Sequence, residues 1–454
     1  MFSKQPLIRL MNRLSPVQLI LLFYLLAVIV STLLLALPVA HRDGVHVPFI
    51  DILFTAVSAL SVTGLTTVSI ADTFSTTGYI LLCLILQLGG VGVMAIGTSI
   101  WLLLGKKIGL KERRLIMTDQ NQTTFEGMVR LIKQILLVIL TIEFIGFIIM
   151  GTYFLQYFPT AEEAYLNGFF GVISAITNGG FDITGNSLIL FKDDYFIQFI
   201  NILLIIFGAI GYPVLVETKE YLFSRSGNHR RFRFSLFTKV TTITFFSLVV
   251  IGTIFIALFD LNGYFSGKSW HQVLFYALFQ SVTTRSAGLS TLDVSQLTEP
   301  NQLFMSFLMF IGASPSSSGG GIRTTTFALV IIFLITFARG GKNIRLFRRE
   351  IHEEDLQKAV TVTLMAIIFV YGSVLLLSVL EPFSTSTLLF EVTSAFGTVG
   401  LSLGITGKLT VISKIVLMIL MFIGRIGIIT FLLTFKKKKS PGNYHYPKER
   451  IIIG

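Results

Sequence analysis

Four short segments of this chain carry residues that can bind a bare cation through their backbone. They read Ser-Val-Thr-Gly-Leu at 61–65, Thr-Asn-Gly-Gly-Phe at 177–181, Arg-Ser-Ala-Gly-Leu at 285–289 and Gly-Thr-Val-Gly-Leu at 397–401. Their last glycines recur at intervals of 116, 108 and 112, near one quarter of the 454 residues. Such loops can turn carbonyl oxygens toward a cation that has lost its water. Four evenly spaced copies predict four walls of one pore.

The composition places this pore in a lipid bilayer. The chain is 53% hydrophobic and only 13% charged, whereas a soluble domain carries roughly a quarter charged residues. The candidate catalytic residues do not suit an enzyme. All six histidines lie in loops or at the edges of apolar segments, and the serines at 314 and 316–318 have no base nearby in the sequence. We therefore predict an integral membrane protein that is not an enzyme.

The basic residues lie on one predicted side of the membrane. The net charge is +12, and 28 of the 36 Lys and Arg residues fall in five segments, at 4–13, 106–133, 219–239, 339–358 and 436–450. By the positive-inside rule, both termini are cytoplasmic. The clusters can serve topology alone, or they can bind anionic membrane lipid or a cytosolic partner. Nucleic acid is not expected as a partner, because the basic residues sit in short loops between spans.

Long and short apolar runs alternate along the chain. Eight runs reach the length of about 20 residues that a membrane span needs; they lie at 17–39, 78–104, 129–155, 196–222, 236–260, 302–338, 357–380 and 411–435. Four runs of about 13 residues lie between the members of each pair and suit re-entrant half-helices; they lie at 48–60, 163–176, 270–283 and 385–396. The predicted fold is therefore all-α, with eight transmembrane helices in four repeats of span, pore helix, filter loop and span around a pseudo-fourfold pore.

The repeats also define the domain organisation. We expect repeat one at 1–127, repeat two at 128–234, repeat three at 235–350 with a broken second span, and repeat four with a cytosolic tail at 351–454. A second set of glycines, at 89, 208, 312 and 424, follows the same period within the second spans. The half-helices run inward, so their C-terminal ends, which carry partial negative charge, face a cation in the pore.

These motifs resemble a known family. The four loops, the interrupted span of the third repeat and Phe-Ile-Gly-Arg-Ile-Gly at 422–427 are similar to the membrane subunit of Ktr-type potassium uptake systems, in the Trk/Ktr/HKT superfamily. The resemblance covers roughly residues 15–454. It implies a selectivity filter of main-chain carbonyls, lined by Val62, Thr63, Gly64, Asn178, Gly179, Gly180, Ser286, Ala287, Gly288, Thr398, Val399 and Gly400. All four loops keep their last glycine, which in this superfamily favours potassium over sodium.

A second constellation lies in the broken third-repeat span. Proline and three consecutive glycines cannot sustain a straight helix there. The resemblance implies an intramembrane gate built from Ala313, Ser314, Pro315, Ser316, Ser317, Ser318, Gly319, Gly320 and Gly321 together with Arg425. A static helix break is the alternative. A phosphate-binding loop is disfavoured, because the Gly-Lys-Ser/Thr ending is missing.

Three arginines are expected at membrane depth, where a charge is costly and indicates function. Arg425 replaces a small residue of its repeat and, by the resemblance, lies in the pore beneath the filter. Arg285 is expected to brace the third filter loop from behind. Arg323 ends the gate segment and can reach the cytosol or an acidic partner.

The predicted function is potassium translocation across a bacterial cell membrane, driven inward by the membrane potential. The chain itself is expected to bind K⁺ and no other cofactor. The resemblance implies a homodimer and a separate cytosolic ring of RCK-type regulatory subunits that bind ATP or ADP. Two alternatives remain: a secondary active transporter with a midplane site, as in folds with inverted repeats, and a membrane scaffold without transport.

Overall fold

The computed structural model describes residues 15–103, 128–223, 232–341 and 343–434, and the isolated positions 109, 117, 447 and 449. In these ranges the chain is helical, as predicted, apart from turns and one antiparallel hairpin, β1 (Arg345–Leu346) with β2 (Arg349–Glu350). The predicted cytosolic N-terminus and tail lie outside the described residues. The helices are α1 (Pro16–Leu35), α2 (Phe49–Ser61), α3 (Ile70–Thr73), α4 (Thr76–Val91), α5 (Val93–Leu103), α6 (Met128–Phe154), α7 (Ala161–Ile176), α8 (Tyr195–Ala209), α9 (Tyr212–Leu222), α10 (Leu236–Phe259), α11 (Trp270–Thr283), α12 (Glu299–Ile311), α13 (Thr324–Ala338), α14 (Glu353–Leu380), α15 (Thr385–Phe396), α16 (Val411–Ile426) and α17 (Ile428–Thr434).

The segments predicted as half-helices form α2, α7, α11 and α15, which have 13, 16, 14 and 12 residues. Polar caps start two of them: the Thr160 and Ser384 hydroxyls accept hydrogen bonds from backbone N–H groups of α7 and α15. At about 1.5 Å per residue they are roughly 18–24 Å long, less than a bilayer core of about 30 Å. Each helix is therefore too short to cross such a core, and each ends immediately before a glycine loop.

Four described helices, α1, α6, α10 and α14, are long and apolar enough to cross a membrane. Counting the bent pairs α8–α9 and α16–α17 as one span each raises the number to six. The long helices keep large apolar side chains on their outer faces, such as Leu33, Phe144 and Val379, which are 62%, 64% and 84% exposed. Such faces suit lipid.

The sequence predicts a broken second span in the third repeat, and the predicted spans at 196–222 and 411–435 prove to be bent as well. The α8–α9 pair bends by 105° and the α16–α17 pair by 102°. The breaks fall at Gly211 and Gly427, with φ of 102° and 92°. Gly92, between α4 and α5, has φ 101°. Glycine reaches this region at no steric cost, and the helix cannot continue through it. The break of the third repeat is thus one of four in the second spans.

A buried ion pair joins α2 to α16. Lys414 Nζ lies 2.7 Å from Asp51 Oδ1, with the two side chains 9% and 12% exposed. The two residues are 363 positions apart and belong to the first and last predicted repeats. The pair therefore closes the circle of helices by joining the first repeat to the last.

We expect Lys414→Met to lower the free energy of unfolding by about 3–5 kcal/mol, because it leaves the Asp51 carboxylate buried without its partner. Thermal denaturation of the purified protein in detergent measures this change. The double variant with Asp51→Asn should recover part of the loss, since no charge is then left unpaired.

Lys358→Met is the matched control for that experiment. Lys358 pairs with Asp355 at 3.1 Å, but its side chain is 55% exposed. Exposed pairs of this kind contribute little. An equal loss for the two lysine variants would contradict a special role for the buried pair.

Candidate functional site

The four glycine loops meet in a closed ring. A Cβ atom added to Gly64 would lie within 3.0 Å of a backbone oxygen of the second loop. The same holds for Gly180 against the third loop, Gly288 against the fourth, and Gly400 against the first. The oxygens concerned belong to Gly179, Ala287, Val399 and Thr63. Each loop therefore contacts the next in chain order, and none of these glycines has room for a side chain.

The backbone of every loop alternates in handedness. The first residue of each triplet and its last glycine have positive φ, with values of 56° at Val62 and 88° at Gly64. The same pattern recurs at Asn178 and Gly180, Ser286 and Gly288, and Thr398 and Gly400. A regular strand, in which side groups alternate between two faces, cannot form with such angles. The four loops thus share one pattern of φ although their side chains differ, which is consistent with a role for the backbone.

The N–H groups of the loops are bonded behind the ring. The middle residue of each loop donates to a carbonyl of its own half-helix: Thr63 to Ser58, Gly179 to Ser174, Ala287 to Thr283 and Val399 to Ser394, at 2.7–2.9 Å. In the first and fourth loops the Ser58 and Ser394 hydroxyls also accept from Gly64 and Gly400 N–H. Because the donors are engaged at the back, the carbonyl oxygens are left to the ring. This is the arrangement that a cation site built from backbone needs.

The segment predicted as a gate forms a buried loop, residues 313–323, between α12 and α13. It packs against the break between α8 and α9: Ser314 N donates to Ala209 O at 3.0 Å, and Ser318 N donates to Gly208 O at 3.1 Å. Tyr212 N in turn donates to Ser316 O at 2.8 Å. The loop is therefore fixed to a neighbouring repeat by backbone hydrogen bonds, each of which must break if it moves.

The guanidinium groups of Arg425 and Arg323 donate hydrogen bonds to the backbone of this loop. Arg425 donates to Ser318 O on the loop and, from its other nitrogen, to Gly90 O at 3.0 Å and to Gly89 O. Arg323 donates to Gly319 O. Arginine supplies several donors in a fixed plane, so one side chain can join separate segments of backbone. The predicted proximity of Arg425 to the loop is observed.

Arg323 occupies a strained position. Its φ and ψ are 82° and 143°, close to the 92° and 141° of Gly427 in the fourth repeat. A side chain rarely adopts this conformation, which costs on the order of 1–3 kcal/mol. Its guanidinium donates to Ser314 O at 3.3 Å and to Arg425 O at 3.4 Å. The strain coincides with a residue that ties the loop to the fourth repeat.

Arg285 lies fully buried beside the third loop, where the sequence predicted a brace. Its Nη2 donates to Leu308 O of α12 at 2.8 Å and to Thr284 Oγ1 at 3.4 Å. Its Nε and Nη1 have no hydrogen-bond partner among the described residues. The contact with α12 anchors the third loop to the second span of its own repeat.

Comparison with known proteins decides the family. A family model described as "TrkH: Cation transport protein" matches residues 17–446. The chain belongs to the TrkH family. The resemblance predicted from the motifs is therefore confirmed, and this TrkH-family chain is a cation transport protein and not an enzyme.

Individual relatives agree over nearly the whole length. The chain is 60% identical to "Ktr system potassium uptake protein D" of Bacillus subtilis (strain 168), over 98% of this chain and 99% of the relative. It is 34% identical to "Ktr system potassium uptake protein B" of the same organism, over 97% of both. The crystal structure of the potassium transporter TrkH from Vibrio parahaemolyticus matches with a TM-score of 0.70 at 20% identity, over 91% of this chain and 84% of that one. This last likeness shows the fold.

Glu143 and Glu391 are two of the buried carboxylates that sequence reasoning missed in this TrkH-family chain. Glu143 lies in the long apolar helix α6, 9% exposed, and accepts a hydrogen bond from Gln87 Nε2 at 2.6 Å. Glu391 lies in α15 behind the fourth loop, fully buried, and accepts from the Ser402 and Thr406 hydroxyls. The signal that could have found them is an acidic residue inside an apolar run, the same signal that singled out the three arginines.

The acidic residues near the outer ends of the helices serve largely as caps. Asp194 accepts from two N–H groups at the start of α8 and from the hydroxyls of Tyr153 and Tyr157. The hydrogen bond to this carboxylate raises the pKa of Tyr157 to about 12. Asp182 and Asp293 accept from N–H groups in turns. These three acids are therefore engaged in local structure, beside any attraction that their charge has for a cation.

Proposed function

We propose that this TrkH-family chain carries potassium into the cell through the ring of four loops. The observation that carries the proposal is the closed ring, in which each glycine contacts a carbonyl of the next loop. A cation entering such a ring exchanges its water shell for peptide oxygens. The printed names of the two Bacillus subtilis relatives, both potassium uptake proteins, support potassium as the ion.

The proposed filter consists of the backbone of the four triplets 62–64, 178–180, 286–288 and 398–400. The N–H groups of the four middle residues are bonded to the half-helices behind the ring, which supports a role for the carbonyls. The half-helices end at the ring, so the partial negative charge of their C-termini adds to the attraction for a cation. All four last glycines are retained, and this favours potassium over sodium.

The proposed gate consists of residues 313–321 and Arg425. The loop and Arg425 are joined by hydrogen bonds, and Arg425 also reaches the first repeat. We expect the closed state to be held by these bonds together with the repulsion between the guanidinium and an arriving cation. Opening requires that the loop detach from Arg425 and from α8.

The proposed topology has eight spans in four repeats, 1–127, 128–234, 235–350 and 351–454, with both termini in the cytoplasm of a bacterium. Glycine breaks at corresponding points of the second spans support the fourfold repeat. The relatives' names describe a "Ktr system", which supports more than one kind of subunit. We propose a homodimer of this chain, surrounded by membrane lipid, on a cytosolic RCK-type ring that binds ATP or ADP.

Flux of potassium and rubidium into proteoliposomes tests the proposal, with a membrane potential imposed and with the candidate regulatory subunit present or absent. With the regulatory subunit present, we expect the membrane potential to drive rubidium uptake with no co-transported solute. We expect the uptake of rubidium to exceed that of sodium. No flux under either condition would contradict transport and favour a scaffold. Flux that required a second co-transported solute would favour a secondary active transporter.

A further inference from the structure

One hydroxyl group connects the loop at 313–323, called the gate loop below, with the ring of four loops. Ser286 Oγ accepts a hydrogen bond from Gly320 N at 3.1 Å. The same oxygen lies 2.7 Å from Thr398 O and 3.0 Å from Gly397 O. Ser286 and Thr398 are fully buried. Three parts of the chain, the third loop, the fourth loop and the gate loop, therefore meet at a single oxygen atom.

Counting protons limits the ways in which these bonds can be arranged. A hydroxyl has one proton to give and two lone pairs to accept with. Gly320 N–H fills one lone pair of Ser286, and Thr398 Oγ1, 3.0 Å away, can fill the other. The Ser286 proton then goes to a carbonyl, and Thr398 O is the nearer one. Thr398 O is also one of the oxygens that the proposed filter offers to the cation.

The gate loop approaches this point too closely for a chance contact. A Cβ atom on Gly320 would lie 2.5 Å from Thr398 Oγ1, and one on Gly319 would lie 2.5 Å from Ser286 Oγ. The Ser318 hydroxyl lies 3.0 Å from the side-chain amide of Asn178 in the second loop. Three of the four loops thus contact the gate loop through the first residue of their triplet.

Linked hydrogen bonds strengthen each other in a buried site. While Gly320 N–H donates to Ser286, the Ser286 hydroxyl is a better donor to Thr398 O. Withdrawal of the gate loop removes that support and frees the hydroxyl to turn away. A carbonyl that no longer accepts from Ser286 keeps both lone pairs free and binds the cation more strongly.

We propose that Ser286 is a positioning residue that couples the gate loop to the innermost cation site of the filter. With the loop in place, Ser286 occupies Thr398 O and weakens that site. When the loop leaves, Thr398 O becomes a stronger ligand of the cation, so ion binding and gate opening favour each other. The inference rests on the proposed function and adds regulation of the same site.

Calorimetric titration of K⁺ into the purified full chain, in a choline buffer, tests the coupling without requiring an open pore. Four forms are compared: the unchanged chain, Ser286→Ala, deletion of 316–321, and both changes together. We expect each single change to raise K⁺ affinity by about three- to tenfold. The combination should do no more than the larger single change, because both release the same carbonyl.

Two further variants complete the experiment. Ser286→Gly removes the same hydroxyl at a φ of 82°, which glycine adopts easily. We expect it to raise K⁺ affinity as Ser286→Ala does, and it replaces that variant if the alanine form folds poorly. Ser394→Ala removes the hydroxyl that accepts from Gly400 N. The Ser394 hydroxyl is bonded to the fourth loop and not to Gly320 of the gate loop. The effect of Ser394→Ala on K⁺ affinity should therefore add to that of the deletion.

The outcomes separate this inference from the proposed function. Unchanged affinity in both Ser286 variants, or effects that add to that of the deletion, would overturn the coupling. Loop deletion that raises flux without changing K⁺ affinity would leave the gate in place and overturn the coupling alone. Absence of K⁺ binding in every form would contradict the filter and the coupling together.

Discussion

Gly64→Ser should lose most of the preference for potassium over sodium. At Gly64 φ is 88°, and a Cβ atom would lie 2.6 Å from Gly179 O and 2.9 Å from Gly180 Cα. A serine must therefore push the second loop away and spoil the match of four carbonyls to one cation. In the superfamily that this chain resembles, a serine at this position accompanies sodium selectivity. We expect the potassium-to-sodium flux ratio to fall on the order of a hundredfold, or about 2.7 kcal/mol.

Gly44→Ser is the matched control for this variant. Gly44 also has a positive φ, 79°, but nothing lies within 4 Å of an added Cβ atom. The control therefore introduces the same backbone strain without crowding another loop. Competitive rubidium and sodium uptake into proteoliposomes measures the ratio. If both variants kept the ratio of the unchanged chain, the filter assignment would be wrong.

Deletion of residues 316–321 should raise potassium flux in the absence of the regulatory partner. The deletion removes the loop carbonyls that accept from Arg425 and Arg323, and the N–H and hydroxyl of Ser318 that bind Gly208 O. Each hydrogen bond contributes about 0.5–1.5 kcal/mol net. Because several are lost together, we expect the potassium flux to rise at least about tenfold. Rubidium uptake under an imposed potential measures it.

A point variant separates the effect of the Arg425 hydrogen bonds from that of the loop itself. Arg425→Met keeps the loop length but removes the hydrogen bonds to Ser318 and Gly90, and it should raise flux in the same direction. Arg42→Met is the control, since Arg42 also donates to a backbone carbonyl, that of Phe74, and to Tyr79, far along the chain from the loop. If both the deletion and Arg425→Met kept the flux of the unchanged chain without its regulatory partner, the gate hypothesis would be contradicted.

The sequence predicted the features that depend on local chemistry. The half-helix at 270–283 has the bounds of α11, and that at 385–396 has the bounds of α15. Hydrophobic runs of fixed length and glycines at fixed spacing determine such elements, so periodicity alone finds them. The contacts among the four glycine loops follow from the same repeat.

Features that depend on long-range contacts escaped prediction. The breaks at Gly211 and Gly427 lie inside apolar runs, although Pro213 beside the first of them is a local signal for the end of a helix. The pairing of Lys414 with Asp51, and the contact of Ser286 with Gly320, join residues far apart in the chain. No local pattern encodes such partners, because they are chosen by the packing of repeats against one another.

The ion pair between α2 and α16 has a consequence for biosynthesis. A ribosome makes the chain from its N-terminus, so Asp51 must wait through 363 further residues before Lys414 emerges. Until then Asp51 lacks the counterion that it has in the complete chain. We therefore expect a chain truncated before its last quarter to lack the ion pair that joins α2 to α16, and with it this closure of the circle of helices.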